Sequence, residues 1–580
     1  WRNEVTIVDI SSADTLRSNP AISPRALEAP IRDLQWGQLN FLHTTDIHGW
    51  FAGHLNEPSY SADWGDYVSF VHWMRQKAES QGQDLLVIDT GDRVEGNGLY
   101  DASTPKGIYT SEILSRMEFD VITTGNHELY KQETSDVEFN LTVPRYRGSY
   151  LASNLKMIDP STGKLIPFAA PFKKFTTKAQ GTRVMAFGFI FDFHKNANNT
   201  IVQDLEDCVN EDWFQEAIQQ SDIDLFLITG HLPVNDAKTI VREIRRYQDT
   251  PVQIFGGHLH VRDFTIYDSS STGLASGRFM ETVGFLSIDG LSNGTHEAKL
   301  KEPQFHRRYI DNNLFSFYHH TGLNETTFPT ELGQNTSNLI AASRHALSLD
   351  YVYGCAPKSL WMDRVEYPSD DNIYTWLEDV IRFSFKRKSH KNPIFALVNT
   401  GSLRFDIFRG PFTKDNAFII SPFTSGFRIL PGVPYSKAKQ IMVILNRKSA
   451  SGDMYDAKDT LRRMSLPRNQ QVLSSKEPVI RPGHMTIDAG GADGDDTIHS
   501  PVPLYPIPKC LGTLISPDGI TPTRVDLVYV DFIESKIAAA AKEIRLGVDV
   551  LRASSTYLPS TAISDLIIDW VQNNWSCDQG

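Results

Sequence analysis

"VITTGNHELY", residues 121–130, decides how the first half of the chain folds. Val121 and Ile122 are β-branched and apolar, as the end of a buried strand requires. The run then stops in Gly125-Asn126-His127-Glu128, which sets an amide, an imidazole and a carboxylate side by side. The same event recurs upstream and downstream. "LNFLHTTDIHG" from Leu39 ends in Asp46 and His48, and "DLLVIDTGD" ends in Asp92. "DIDLFLITGH" ends in His231, and "VQIFGGHLH" in His258 and His260.

Between these runs lie amphipathic stretches. In "DYVSFVHWMRQKAES" Tyr67, Phe70, Val71 and Met74 recur at helical spacing, and "YTSEILSRM" reads as a shorter helix. Apolar runs alternating with helices imply βαβ units. In open α/β sheets ligands collect outside the carboxyl ends of the strands, so these polar strand ends are expected to converge on one site.

The chain has 580 residues, more than one core accommodates. Residues 1–38 lack periodicity and read as an extension. Residues 39–335 form the first domain, and "TSNLIAASRHALSL" supplies a joining helix over 336–350. Residues 351–580 carry their own strands ("NPIFALVNTG", "AFIISPF", "VDLVYV") and helices, hence a second α/β domain. The stretch 450–500 reads as a long loop.

A net charge of −13 argues against nucleic acid as a partner but leaves room for a small anion in a locally positive pocket. No run is apolar and long enough to span a membrane. Sequons at Asn140, Asn198, Asn293, Asn324, Asn335 and Asn574 point to the secretory pathway. Cys208, Cys355, Cys510 and Cys577 lack metal-type spacing and leave either two disulfides, in three connectivities, or four buried thiols.

Singly, each polar strand end is an ordinary turn. In order, Asp46-x-His48, Gly91-Asp92, Gly125-Asn126-His127-Glu128, Gly230-His231 and Gly257-His258-x-His260 resemble the calcineurin-like metallophosphoesterases. In particular the set is similar to their 5′-nucleotidase branch, in its fungal-type secreted or vacuolar form. The resemblance implies a four-layer α/β/β/α metallophosphoesterase domain, followed by a nucleotide-binding α/β domain. It implies two divalent cations bridged by Asp92. Asp46, His48 and His260 complete one cation's protein ligands, and Asn126, His231 and His258 the other's. Mixed nitrogen and oxygen ligands suit Zn²⁺, Mn²⁺ or Fe, with Zn²⁺ favoured here. The implied reaction releases phosphate from nucleoside 5′-monophosphates, AMP by default, through in-line attack of a bridging hydroxide. The extracellular space, cell wall or vacuolar lumen is the implied location.

By the same resemblance His127 is the general acid toward the leaving oxygen. The relatives place an aspartate three residues after it, and here that position is Tyr130. A phenol stabilises imidazolium less than a carboxylate does, so the expectation is rate loss beginning at lower pH, with Glu128, Glu133 or Asp136 as substitutes. "NTGSLR" resembles the relatives' substrate motif and nominates Asn399 and Arg404. "SPFTSG" nominates Phe423 as a base-stacking ring, and "DAGGADGDD" nominates Asp493. Tyr505 is an alternative second ring. The basic run Phe385–Lys391 reads as a solvated segment or as a steering patch. Two alternatives stand beside this reading: a 2′,3′-cyclic-nucleotide phosphodiesterase with 3′-nucleotidase activity, and a non-catalytic binder on the same fold. The protein Ser/Thr phosphatases share the core, but their Gly-Asp-x-x-Asp-Arg-Gly is replaced here by "GDRVEGNG".

Overall fold

A computed structural model describes residues 30–159, 161–291, 302–386, 392–447, 479–482, 494–497, 501–516 and 521–577. Asp493, residues 387–391 of the basic run and most of the 450–500 loop lie outside them.

Two sheets build the first domain. One runs Gln304–Asp311, Thr282–Asp289, Leu39–Thr44, Asp84–Asp89, Val121–Ile122, with the last three strands parallel. The other runs Arg262–Asp268, Ser271–Ser276, Val252–Gly256, Leu225–His231, Arg183–Ile190, Phe172–Thr176, and its four inner strands are parallel. Side-chain alternation makes the layers. Leu39, Phe41, Leu86 and Ile88 meet Val184, Ala186, Leu225 and Leu227 in a core between the sheets. Their neighbours Leu42, Val87, Phe187, Phe226 and Ile228 face the helices. The result is helix, sheet, sheet, helix, as expected.

The helix Trp64–Ser80 buries Tyr67, Phe70, Val71 and Met74. Asp63 fixes its start: the Asp66 N–H donates to Asp63 at 2.9 Å, and the Asp63 N–H donates back to Asp66 at 3.1 Å. The joining helix spans Glu331–Ala346, so it begins before the expected 336 because Thr330 caps it. It lies against Trp64–Ser80 rather than free between domains. A Cβ on Gly65 would overlap the Gly333 carbonyl, so the crossing needs glycine there. At its end buried Arg344 pairs with Asp415 and with Asp350, and Asp415 also accepts the Gly98 N–H at 3.0 Å. That carboxylate ties the two halves together.

The second domain holds a sheet ordered Cys510–Ile515, Ile394–Asn399, Arg524–Val530, Phe427–Pro434, Ser555–Leu558. Separate apolar clusters cover its two faces. Cys355 and Cys577 form a disulfide, while Cys208 and Cys510 are buried thiols, so each cysteine expectation holds for one pair. The bond closes a loop of sequence separation 222. In the chain-entropy model a loop that long stabilises by about 5 kcal/mol at most. Cys577→Ser is therefore expected to lower the urea midpoint clearly, and an unchanged midpoint in a denaturation series would refute it.

Asp493, the residue nominated from "DAGGADGDD", lies outside the described residues, whereas the strip 494–497 that follows it is described. The strip returns to the first domain and pairs with Tyr309 at the edge strand Gln304–Asp311. Asp495 pairs with Arg262 at 2.9 Å, and Asp496 with His320 at 3.0 Å. Ile31 and Arg32 flank it on the other side. These carboxylates anchor chain segments to one another.

Candidate metal centre

Five of the seven ligand-type residues sit just past the end of a strand, on backbone that side chains rarely adopt. Asp46 (φ 52°), His48 (φ 49°), Asp92 (φ 55°), His258 (φ 76°) and His260 (φ 60°) are all left-handed. Such strain costs on the order of 1–3 kcal/mol per residue and persists where the surroundings enforce it. The enforcement is visible. The Asp46 N–H donates to the Gly91 carbonyl, and the His48 N–H to the Asp92 carbonyl, both at 2.9 Å. Glu128 holds the Asp92 loop: its carboxylate accepts the N–H groups of Asp92 (2.9 Å), Arg93 (2.7 Å) and Gly125 (2.8 Å). A Cβ on Gly125 would overlap the Asp92 carboxylate, so this strand end requires glycine.

Six of the seven predicted ligands come together. Ligand atoms of Asp46, His48, Asp92 and His260 lie within 4.8 Å of one another, as do those of Asp92, His231 and His258. Asp92 is common to both groups. His231 Nε2 is 3.1 Å and His48 Nε2 3.6 Å from Asp92 Oδ2; His260 Nε2 is 3.2 Å from Asp46 Oδ1. Hydrogen bonds on the far atoms aim the near ones inward. His48 Nδ1 is bonded to the Glu95 carbonyl at 2.6 Å and His231 Nδ1 to the Thr90 carbonyl at 2.9 Å. Asp46 Oδ2 accepts from Thr45 Oγ1 (2.7 Å) and the His258 N–H (3.0 Å), and Asp92 Oδ1 accepts the His127 N–H (2.8 Å). Phe191 stacks on His258 at 4.1 Å between centroids.

The residues fit cations. Asp46 Oδ1 and Asn126 Oδ1 are buried without a hydrogen-bond partner, a costly arrangement that cations would relieve. His48 Nε2 and His260 Nε2 face each other at 3.1 Å, and both belong to the first group. Burial holds His258 down at about 3 and His48 well below the ordinary imidazole range, so both are in the neutral, metal-binding form. His231 differs: against burial, Asp92 and Asp46 raise it to about 9, so a cation entering there displaces a proton.

His127 lies beside this cluster with Nε2 4.0 Å from Asp92 Oδ2. Its Nδ1 is 3.0 Å from Glu95 Oε2. None of the substitutes named from the sequence partners it. Glu128 is committed to backbone N–H groups, and Tyr130 meets the His127 ring edge-on at 5.1 Å. The imidazole has a carboxylate after all, supplied by the Asp92 loop. Burial opposes charge on Glu95, but the His127 hydrogen bond, the charge of His127 and then Lys131 (2.7 Å) bring it to about 2. The signal in the sequence was Glu95 itself, three residues past Asp92 in "GDRVEGNG".

From the second domain, half-buried Arg404 reaches this centre closely enough for its charge to act on His48 and His260. Phe423 lies under its guanidinium at 5.4 Å. Asn399 ends the strand Ile394–Asn399, where its Oδ1 accepts from Ser402 at 2.9 Å. Tyr505 donates its N–H to the Asp363 carbonyl. Around the centre Trp50 and Phe279 of the first domain pack on Phe405 of the second.

A sequence model described as calcineurin-like phosphoesterase matches residues 39–262, and one described as NAD nucleotidase, C-terminal domain, matches residues 359–538. A crystal structure of 5′-nucleotidase from Candida albicans SC5314 superposes with a TM-score of 0.83 at 37% identity, covering 94% of this chain and 100% of that one. The chain belongs to the calcineurin-like phosphoesterases of the 5′-nucleotidase type. An uncharacterized protein of Schizosaccharomyces pombe is 38% identical over 538 residues, spanning 88% of this chain and 86% of that protein. A protein of Arthroderma benhamiae named "Secreted protein" is 37% identical over 580 residues, 89% of this chain and 87% of that one. A 5′-nucleotidase precursor from Thermus thermophilus, 14% identical with a TM-score of 0.60 over 93% of this chain and 97% of that one, shares the fold. This phosphoesterase is a metal-dependent phosphoester hydrolase acting on a small molecule, and none of its described helices is long and apolar enough to cross a membrane.

Proposed function

We propose that the enzyme releases phosphate from nucleoside 5′-monophosphates, with AMP as the default substrate. Asp46, His48, Asp92 and His260 would hold one divalent cation, and Asp92, Asn126, His231 and His258 the other, with zinc the first choice. The observation that carries the reading is a buried carboxylate, Asp92, common to two inward-aimed ligand groups that a guanidinium from the other domain overlooks. Bound there, the cations supply an acidified water and positive charge for the phosphoryl oxygens. The chain's own residues do the rest. His127 presents Nε2 to the leaving oxygen and delivers its proton, while Glu95 holds Nδ1–H and the ring's orientation. Arg404 binds phosphoryl oxygens through its planar fork of donors. Phe423 offers a face to the base, and Asn399 a polar edge. The disulfide, the sequons and the Arthroderma benhamiae relative's name support a place in the secretory pathway, outside the cell or in the vacuole.

The deciding experiment is a substrate panel with defined metals: 5′-AMP, 3′-AMP, 2′,3′-cAMP, UDP-glucose, NAD and bis-p-nitrophenyl phosphate. NAD belongs there because of the description matched by residues 359–538. Chelation is expected to abolish hydrolysis of 5′-AMP and Zn²⁺ or Mn²⁺ to restore it. Preference for 2′,3′-cAMP would replace this reading with the cyclic phosphodiesterase, and inertness on every substrate after metal addition with the binder.

A further inference from the structure

Arg278 stands on the turn Gly277–Glu281, between the strands Ser271–Ser276 and Thr282–Asp289. The turn is fixed to the metal centre: the Phe279 N–H donates to the Asp46 carbonyl at 2.8 Å. It is also strained, with Phe279 (φ 53°) and Met280 (φ 55°) consecutively left-handed. Two such residues in a row aim Arg278 where a relaxed turn would not. Its guanidinium lies 4.6 Å from the centroid of Phe279 and 5.9 Å from that of Phe405. The Phe279 ring in turn touches His260 (5.3 Å) and His48 (5.5 Å).

The surroundings of Arg278 are nearly closed, with 8% of the residue exposed. Glu281 meets Nε at 3.4 Å. Among the described residues no acceptor is assigned to its Nη groups. Its charge acts on His260 and on Arg404. Two guanidiniums from different domains thus overlook ligands for two cations. Burial pulls Arg404 below its usual range and Arg278 adds to the fall, while Tyr130, Asp92 and Glu95 work the other way. The two guanidiniums share this face with the carboxylates of Asp92, Glu95 and Glu57, and a phosphoryl dianion entering beside the ligand cluster would meet both.

We infer that Arg278 binds the phosphoryl group from the side opposite Arg404 and sets the preference for monoesters over diesters. The inference rests on the phosphoesterase reading above. A monoester dianion has three terminal oxygens and a diester two. The cations, Asn126 and Arg404 meet the oxygens that both share. The third oxygen, present only in the monoester, is the one left for Arg278; in a diester an alkoxy group with less charge occupies that place.

The test compares wild type with Arg278→Met, which keeps bulk over Phe279, and Arg278→Lys, which keeps charge. Rates are measured on p-nitrophenyl phosphate and bis-p-nitrophenyl phosphate, with metal content and inorganic phosphate binding recorded alongside. Arg278→Met is expected to lose about 10²-fold in kcat/KM on the monoester, the scale of one lost donor to a phosphoryl-type oxyanion, and under about 10-fold on the diester. Phosphate binding should weaken in parallel, metal content should hold, and Arg278→Lys should recover part of both losses. Equal losses on both esters, or loss of metal, would make Arg278 a structural residue and overturn the inference. Wild-type protein inert on both esters would instead bring down the phosphoesterase reading, and phosphate binding to the metal-loaded variants would still decide the role of Arg278.

Discussion

Asp92→Asn is expected to lower kcat on 5′-AMP by at least about 10³-fold and to reduce bound metal at both positions. The substitution is nearly isosteric, and the His127 N–H can still donate to the remaining oxygen as it does at 2.8 Å in the native chain. What disappears is the negative charge between His231 and His48, at the one group common to both ligand sets. A neutral amide neither offsets two cations nor lets both share an anionic donor. The control is Asp46→Asn, which touches the first group alone: the two metal contents should then fall unequally. Elemental analysis beside kcat checks both. Asp92→Asn protein that keeps its full metal complement and turns over above about a tenth of the native rate would sink the shared-carboxylate account. Folding should survive, because Glu128 grips the loop through backbone N–H groups that the substitution leaves alone.

The strand ends were legible because a metal centre of this kind leaves a local trace. Each ligand follows an apolar run directly, so Asp46, Asp92, Asn126, His231 and His258 could be found without knowing where the strands lie in space. The four layers came from the resemblance that those strand ends carry, and the structure shows why they are needed: the strands Leu39–Thr44 and Asp84–Asp89 are buried at every position and must be covered on both sides. Pairings made by long-range return were not legible. Asp495 and Asp496 sit in a Gly-Asp-rich stretch that resembles a substrate motif, and only the fold shows them held by Arg262 and His320. Glu95 was hidden for a different reason. Spacing within "GNHELY" pointed to partners after His127, while the true partner lies on the neighbouring strand's loop, a distance of 32 residues along the chain. Arg278 carried no signal at all: its placement depends on two left-handed residues that follow it.

Glu95 and His127 give the second large effect. His127→Ala is expected to lower kcat on 5′-AMP by about 10²–10⁴-fold, the range for a positioned proton donor. On p-nitrophenyl phosphate, whose leaving oxygen needs little protonation, the loss should be far smaller. Glu95→Gln should fall between native and His127→Ala on 5′-AMP. It keeps a hydrogen-bond acceptor for Nδ1–H at 3.0 Å but removes the charge that favours imidazolium. With that charge gone the ring gives up its proton more easily, so the alkaline limb of the 5′-AMP rate should move to lower pH. The acid limb should stay, because Glu95 sits at about 2 and remains ionised throughout the working range. Tyr130→Asp becomes a discriminating control: with Glu95 already in place, a second carboxylate should shift the limb little. A pH profile that moves in Tyr130→Asp and stands still in Glu95→Gln would reverse the assignment and return the missing partner to the position after His127.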